Sequence, residues 1–333
     1  MTNQELIDIV SIKGLELKSA SEVQKANRNI VLAAIKQNGI SIKFASEKLK
    51  NDFEVVETAV KKKAGALYFA SENLKSNKEI LLLAVKKDGL ALEHASLNLK
   101  NDKEVVLTAV AKNGFALEYS SSELKKDEDV VLKAVCSKGK SLKFADSELK
   151  SNKDIVIEAV KNDGLCLEYV NSDLRADKDV LLVALAGWGR EKALSFASDS
   201  LKKDLTFIKE AYRVNGNILE YASDNVKDDR EFILDLFQSI RTNLKYVSQR
   251  LKSDIEIAFI CVSENRFAIR EVSYDLRNNK DFILKIMTDM KLIKKHGPGF
   301  LPRVFDNISF NLRNDVDILK IINSQNNTTA NSV

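Results

Sequence analysis

Eleven basic side chains share one phase of this 333-residue chain: Lys50, Lys75, Lys100, Lys125, Lys150, Arg175, Lys202, Lys227, Lys252, Arg277 and Arg313. A cation repeated at a fixed interval could neutralise successive phosphates, an attraction that weakens steeply with salt. A second column is aromatic: Phe44, Phe69, Tyr119, Phe144, Tyr169, Phe196, Tyr221 and Tyr246, with His94 in the same place. Exposed rings beside a basic groove could stack on nucleobases. Denser basic runs occur at Lys61, Lys62, Lys86 and Lys87. Two irregular stretches add Trp188 with Arg190, and Lys294, Lys295 and His296 just before the two prolines. These nine residues of the basic runs and irregular stretches are the candidate partner-binding set.

Each feature also has an ordinary explanation. The cation ladder falls next to helix N-termini, where a recurring acid of the first turn would balance it, and such surface pairs are individually weak. Mixed Phe and Tyr with neighbouring Leu and Ala is the pattern of half-buried core rings. Trp188 reads equally as a binding anchor or as a plug for the packing defect around it. The stretch 291–305 reads as a loop on a scaffold or, somewhat better, as irregular capping.

Catalytic constellations are missing from the sequence. The two histidines, His94 and His296, stand far apart, and Cys136, Cys166 and Cys261 have no metal-type spacing. There is no phosphate loop, no nucleophile beside a base, and no paired acids outside a repeated capping position. The expectation is a protein that is not an enzyme and carries no cofactor or metal.

The elements that must position these columns follow from an internal repeat. "NDKEVVLTAVAKNGFALEYSSSELKK" aligns with "SNKEILLLAVKKDGLALEHASLNLKN" and "SNKDIVIEAVKNDGLCLEYVNSDLRA" at a period of 25 residues, unbroken from Asn27 to Ala176. Two extra residues near "AGWGREKA" delay the next copy to Asp204, and the period then runs to about Asn279. Each copy opens on Asp or Asn, including Asp52, Asp102, Asp127 and Asp177. A short side-chain oxygen there can accept an orphan amide of a helix first turn. Apolar residues follow at helical spacing, such as Val105, Val106, Ala109 and Val110. Gly89, Gly114, Gly139 and Gly164 stand where a left-handed C-cap would end a helix of 11 to 12 residues. The second half of each copy predicts a brief helix or 3₁₀ turn packed on the first. Alanine recurs at one phase from Ala34 to Ala211, which lets neighbouring helices approach closely. One copy buries too little apolar surface to offset the entropy of ordering it, so copies must stack.

The pattern D-K-E-V-V-L-x-A-V-x-x-x-G-x-A-L-x-Y-A-S-x-x-L-K resembles the repeat family known as domain of unknown function 4116. The resemblance covers about residues 27 to 278. It implies a helical-repeat fold and brings no agreed enzymatic activity. Arg241 and Arg266 depart from the pattern by standing in the glycine place.

The resulting expectation is an all-α protein, an elongated and curved α-solenoid of about twelve 25-residue helix–short-helix repeats. Its parts would be a degenerate capping repeat (1–26), the repeat array (27–290), an irregular insertion with a capping helix (291–322) and a disordered polar tail (323–333). Balanced charge, 52 basic against 48 acidic side chains, argues for no strong nucleic-acid or membrane bias. With no readable signal peptide or membrane-length apolar run, the chain is expected in the cytoplasm. The expected function is a scaffold binding a protein or peptide along one continuous face. The alternative is nucleic acid or another polyanion along the Lys/Arg ladder.

Overall fold

The computed structural model describes residues 1–187, 190–240, 242–297 and 299–330. Every regular element among them is helical. The chain divides into two compact units, Met1–Phe196 and Ala197–Val333, and the boundary falls within the repeat array read from the sequence over 27–290. The two-residue insertion of the repeat precedes that division.

Within the first unit each copy is built from two or three elements. A ten-residue helix such as Lys103–Lys112 leads into a six-residue 3₁₀ helix, Gly114–Tyr119, and in most copies a one-turn helix such as Glu47–Lys50 or Leu97–Lys100 follows. Residues 2–26, degenerate in sequence, form the same three elements. The long helix starts where predicted: Asp52, Asp102, Asp127 and Asp177 each accept a first-turn amide, from Val55, Val105, Val130 and Val180. Four apolar positions per helix face inward, and Val105, Val106, Ala109 and Val110 are fully buried. Leu117 from the 3₁₀ helix and Leu124 from the last turn complete the core of that copy.

The end of the long helix differs from expectation. Asn113 is extended, donates its amide to the Ala109 carbonyl at 2.9 Å, and accepts from the Phe115 amide at 3.1 Å to start the 3₁₀ helix. The helix is therefore ten residues, about 15 Å. Gly89, Gly114, Gly139 and Gly164 open the 3₁₀ helices and are not left-handed C-caps, because the only positive-φ glycine among the described residues is Gly297. Their role is size. A Cβ at Gly89, Gly114 or Gly139 would fall within 3.0 Å of the carbonyl oxygen of Ala109, Ala134 or Ala159, each in the next copy. The alanine column is the other half of this contact and is fully buried from Ala34 to Ala184. Ala64 occupies the glycine place in one copy, so that contact can open enough for one methyl group.

A second join is made by the backbone. The amides of Ser71, Ser121 and Asp146 donate to the carbonyls of Lys50, Lys100 and Lys125 in the preceding copy, at 3.0, 2.9 and 3.0 Å. Ser71 and Ser121 also cap their own last turn, accepting from Leu74 and Leu124.

The second unit repeats the plan with the long helices Leu205–Val214, Arg230–Ser239, Ile255–Glu264 and Lys280–Thr288. Of the stretch 291–305, residues 291–296 and 300–305 fall in the helices Met290–His296 and Phe300–Asn307. Phe300, Leu301 and Val304 are buried, so this stretch is packed structure. The last helix runs Val316–Ala330, continuing into the stretch predicted as a disordered tail; no Gly or Pro interrupts it.

The glycine contacts set a contrast. Gly114→Ala should destabilise the protein by about 1–3 kcal/mol through overpacking. Gly65→Ala, where a Cβ meets nothing within 4 Å, should be neutral or stabilise by up to about 1 kcal/mol. Urea melts of both variants against the parent check this.

Candidate functional site

The long helices of the first unit present one face away from the core, and it has three rows. The first row is the first turn. Lys78 reaches Asp102 and Glu104 of the next copy at 2.7 and 2.8 Å. Lys103 reaches Asp127 and Asp129 at 2.8 and 2.7 Å, and Lys153 reaches Asp177 and Asp179 at 2.7 and 3.2 Å. Arg28 makes the same clamp with Asp52 and Glu54. The same clamp recurs in the second unit as Arg230 on Asp254 and Glu256, and Lys280 on Asp315 and Asp317. Each cation thus spans the N-cap and a first-turn acid of the following helix.

The clamps shift ionisation in both partners. The hydrogen bonds that Lys78 donates to Asp102 and Glu104 hold its ammonium above its ordinary value, and Lys103 and Lys153 behave alike. Partial burial pushes the Asp102, Asp127 and Asp177 carboxyls up. The lysine ammonium and the capped amides more than offset it, so each lies below the usual carboxylate range.

The second row is apolar. The fifth residue of five successive long helices is Leu82, Leu107, Leu132, Ile157 and Leu182. Leu132 is exposed and the other four half-buried. Two helices carry a charge there, Glu57 and Lys209, so the fold does not demand an apolar side chain.

The third row, at the helix C-termini, is basic as far as Lys112; the helices Glu128–Ser137 and Lys178–Ala186 carry no basic residue in their last turn. Lys61, Lys62, Lys86 and Lys87 all lie here and are exposed, as are Lys36 and Lys112. Lys61 pairs with Glu57 at 2.5 Å and Lys87 donates to the Lys61 carbonyl. Among the described residues Lys36, Lys62, Lys86 and Lys112 form no ion pair. The structure thus brings together four of the nine candidate partner-binding residues.

The remaining candidates are elsewhere. Trp188 lies outside the described residues, and Arg190 begins a short helix, Arg190–Ala193, its side chain likewise outside them. Lys294 is exposed, Lys295 pairs with Glu264 at 2.9 Å, and the His296 Nε2 lies 3.1 Å from the Ser263 carbonyl. Arg266 donates to the His296 carbonyl at 3.1 Å and the His296 and Phe300 rings are 5.0 Å apart. Lys295 and His296 therefore tie the irregular stretch to its neighbours.

The long ladder is balanced by a different acid than the sequence suggests. Lys50 and Lys75 pair with Glu47 and Glu72, three residues earlier on their own turn, at 2.8 and 2.9 Å. Lys227 pairs likewise with Asp224 at 3.7 Å. Of the first-turn acids expected for that task, Glu54, Glu104, Asp129 and Asp179 are taken by clamp cations, while Glu79 and Asp154 form no ion pair among the described residues. Lys100, Lys125 and Lys150, where Leu97, Ser122 and Ser147 replace that acid, make no ion pair among the described residues. The aromatic column is half-buried in all nine places, His94 included. Burial lowers the His94 pKa, and Tyr68 packs edge-on to it at 5.2 Å.

Burial pushes the Cys166 and Cys261 thiols up to about 12, which leaves them unreactive. Among the described residues no group of three His, Cys, Asp or Glu could hold a metal ion. No helix among them is long and apolar enough to cross a membrane.

Sequence reasoning missed the clamp and the leucine row. Both have periodic signals: a cation immediately after the cap with acids 24 and 26 residues on, and an aliphatic residue five positions past the cap.

Removing a clamp tests its electrostatics. In Lys103→Met the Asp127 carboxyl loses its ammonium while keeping its burial, so its pKa should rise. A carboxyl depressed in the folded state stabilises above its unfolded value and loses that contribution as pH falls through the folded one. The stability gap between parent and variant should therefore be widest above about pH 4 and close under acid. Acid unfolding followed by circular dichroism should show the variant's midpoint at higher pH.

The sequence model of the family described as domain of unknown function (DUF4116) matches residues 27–75, 77–125, 127–175, 152–188, 177–227 and 229–277. No curated protein and no solved structure matches the chain. The chain belongs to this family.

Proposed function

We propose that this DUF4116 repeat protein is a non-enzymatic interaction scaffold that binds a protein or peptide along the outer face of its long helices in the first unit. The observation that carries this reading is the aliphatic row Leu82, Leu107, Leu132, Ile157 and Leu182. Scattered exposed leucines are ordinary in soluble proteins. A row repeated in five consecutive copies, at a position where Glu57 and Lys209 are accepted, is surplus to folding and is the kind of patch that marks an interaction site.

The polyanion reading keeps one supporting fact, the absence of ion pairs at Lys100, Lys125 and Lys150. It is weakened by Glu123 and Glu148, which stand two residues before Lys125 and Lys150 and keep that edge mixed in charge. A filter-binding assay with no retention of nucleic acid at low salt would remove it. Three free cysteines, two of them buried, fit a reducing compartment such as the cytoplasm.

The scaffold reading is tested by placing a photoreactive residue at Leu132, or at exposed Glu148 on another face, in the native cell. Leu132 should capture a partner and Glu148 should not. With the photoreactive residue kept at Leu132, Leu107→Glu/Ile157→Glu should abolish capture while the protein stays folded, each half-buried site costing about 1 kcal/mol. Equal capture at Leu132 and Glu148, or unfolding of the double variant, contradicts the reading.

A further inference from the structure

We infer that the partner on the leucine row is a second copy of this chain, its first unit laid face to face on the first with the long helices antiparallel. This rests on the scaffold reading and names the partner of that face.

The argument is a match between two charged positions. In the six long helices from Phe53–Lys62 to Lys178–Ala186 the second residue is an exposed acid: Glu54, Glu79, Glu104, Asp129, Asp154 and Asp179. Glu54, Glu104, Asp129 and Asp179 are clamped from the preceding copy. Glu79 and Asp154 form no ion pair among the described residues, because Phe53 and Glu128 stand where the clamp cation would. The ninth residue of the same helices is Lys61, Lys86, Ala111, Cys136, Lys161 and Ala186, all exposed. Both unclamped acids therefore share their helix with a ninth-place lysine. The clamped Glu104, Asp129 and Asp179 share theirs with an uncharged residue. Lys61, on the remaining clamped helix, is answered by Glu57. Seven residues separate the two places, about 10.5 Å along the axis, too far for a pair within one helix.

An antiparallel counterpart closes that gap. When a ten-residue helix lies antiparallel across its own copy, the second residue meets the ninth and the fifth meets the sixth. In Lys78–Lys87 this sets Glu79 against Lys86 of the second copy and Lys86 against its Glu79, with the half-buried Leu82 and Leu83 between them. Asp154 meets Lys161, which within one chain pairs with Glu158 at 2.5 Å. Glu104, Asp129 and Asp179, already neutralised by clamps, meet Ala111, Cys136 and Ala186. A two-fold axis running along the leucine row generates all these contacts together, each patch meeting itself as in an isologous dimer. Both faces carry the same repeat, so every copy stays in step with its counterpart. A two-fold axis along the helices would instead set acids on acids and lysines on lysines.

Sedimentation equilibrium on the purified full chain tests this. The parent should form a dimer whose affinity falls as salt rises. Glu79→Lys and Lys86→Glu should each weaken it about tenfold, because each variant sets like charges together twice per dimer. An equimolar mixture of those two variants should associate as tightly as the parent, since every such contact in the mixed dimer again joins opposite charges. The double variant Glu79→Lys/Lys86→Glu should recover the parent's affinity for the same reason. A parent that stays monomeric at every concentration, single variants that self-associate like the parent, or a mixture that gains nothing overturns the inference. If photocapture at Leu132 then still yields a different protein, the second copy falls as the partner and the scaffold reading stands.

Discussion

The contact on which the rest depends is the approach of one copy's glycine to the alanine carbonyl of the next. At Gly89, Gly114 and Gly139 there is no room for a side chain against Ala109, Ala134 and Ala159. That approach sets the separation of consecutive copies, and other joins use the same separation. The serine amide then reaches the lysine carbonyl one copy back, as Ser121 reaches Lys100 at 2.9 Å. The first-turn lysine reaches the next cap, as Lys103 reaches Asp127 at 2.8 Å. The contacts reinforce one another because each has the same 25-residue period. A copy shifted along its neighbour would break all of them together.

Such periodicity also accounts for the surface. Once the fold fixes which positions of a helix face outward, any residue type repeated at one of them becomes a row. The clamp row has a structural purpose, since it satisfies caps and joins copies. The leucine row is not demanded by the fold, because Glu57 and Lys209 occupy the same position, where they pair with Lys61 and Asp235. The C-terminal lysines fall between these cases. Cations suit helix C-termini, yet Lys62 and Lys86 form no ion pair among the described residues. Separating what the repeat requires from what it merely permits is therefore the route to function in this chain.

Much of the architecture was legible in the sequence because repetition supplies its own controls. The caps at Asp52, Asp102, Asp127 and Asp177, the buried alanine column and the half-buried rings at Phe44 and Tyr119 follow from residue type and period alone. What was not legible depended on contacts between copies. Gly114 reads as a left-handed cap because local backbone conformation is the usual reason for glycine, whereas the real constraint is an oxygen twenty residues further on. Lys75 reads as a partner for a first-turn acid because both recur. The acid that pairs with it is Glu72, on its own turn at 2.9 Å. The leucine row was hidden by lying beside the core stripe, where an aliphatic residue draws no notice. The division after Phe196 follows a break in period at a stretch whose tryptophan, Trp188, lies outside the described residues.

The central claim is that no copy has a structure apart from its neighbours. The most direct measurement is helicity per residue, by circular dichroism, across fragments of increasing copy number: residues 102–126, 102–151, 77–176 and 27–176. The account predicts a coil for the single copy, partial helix for two, and native helicity with a sharp cooperative melt in the longest fragment. A single-copy peptide with the full helical signal, or helicity that does not change with copy number, would contradict it.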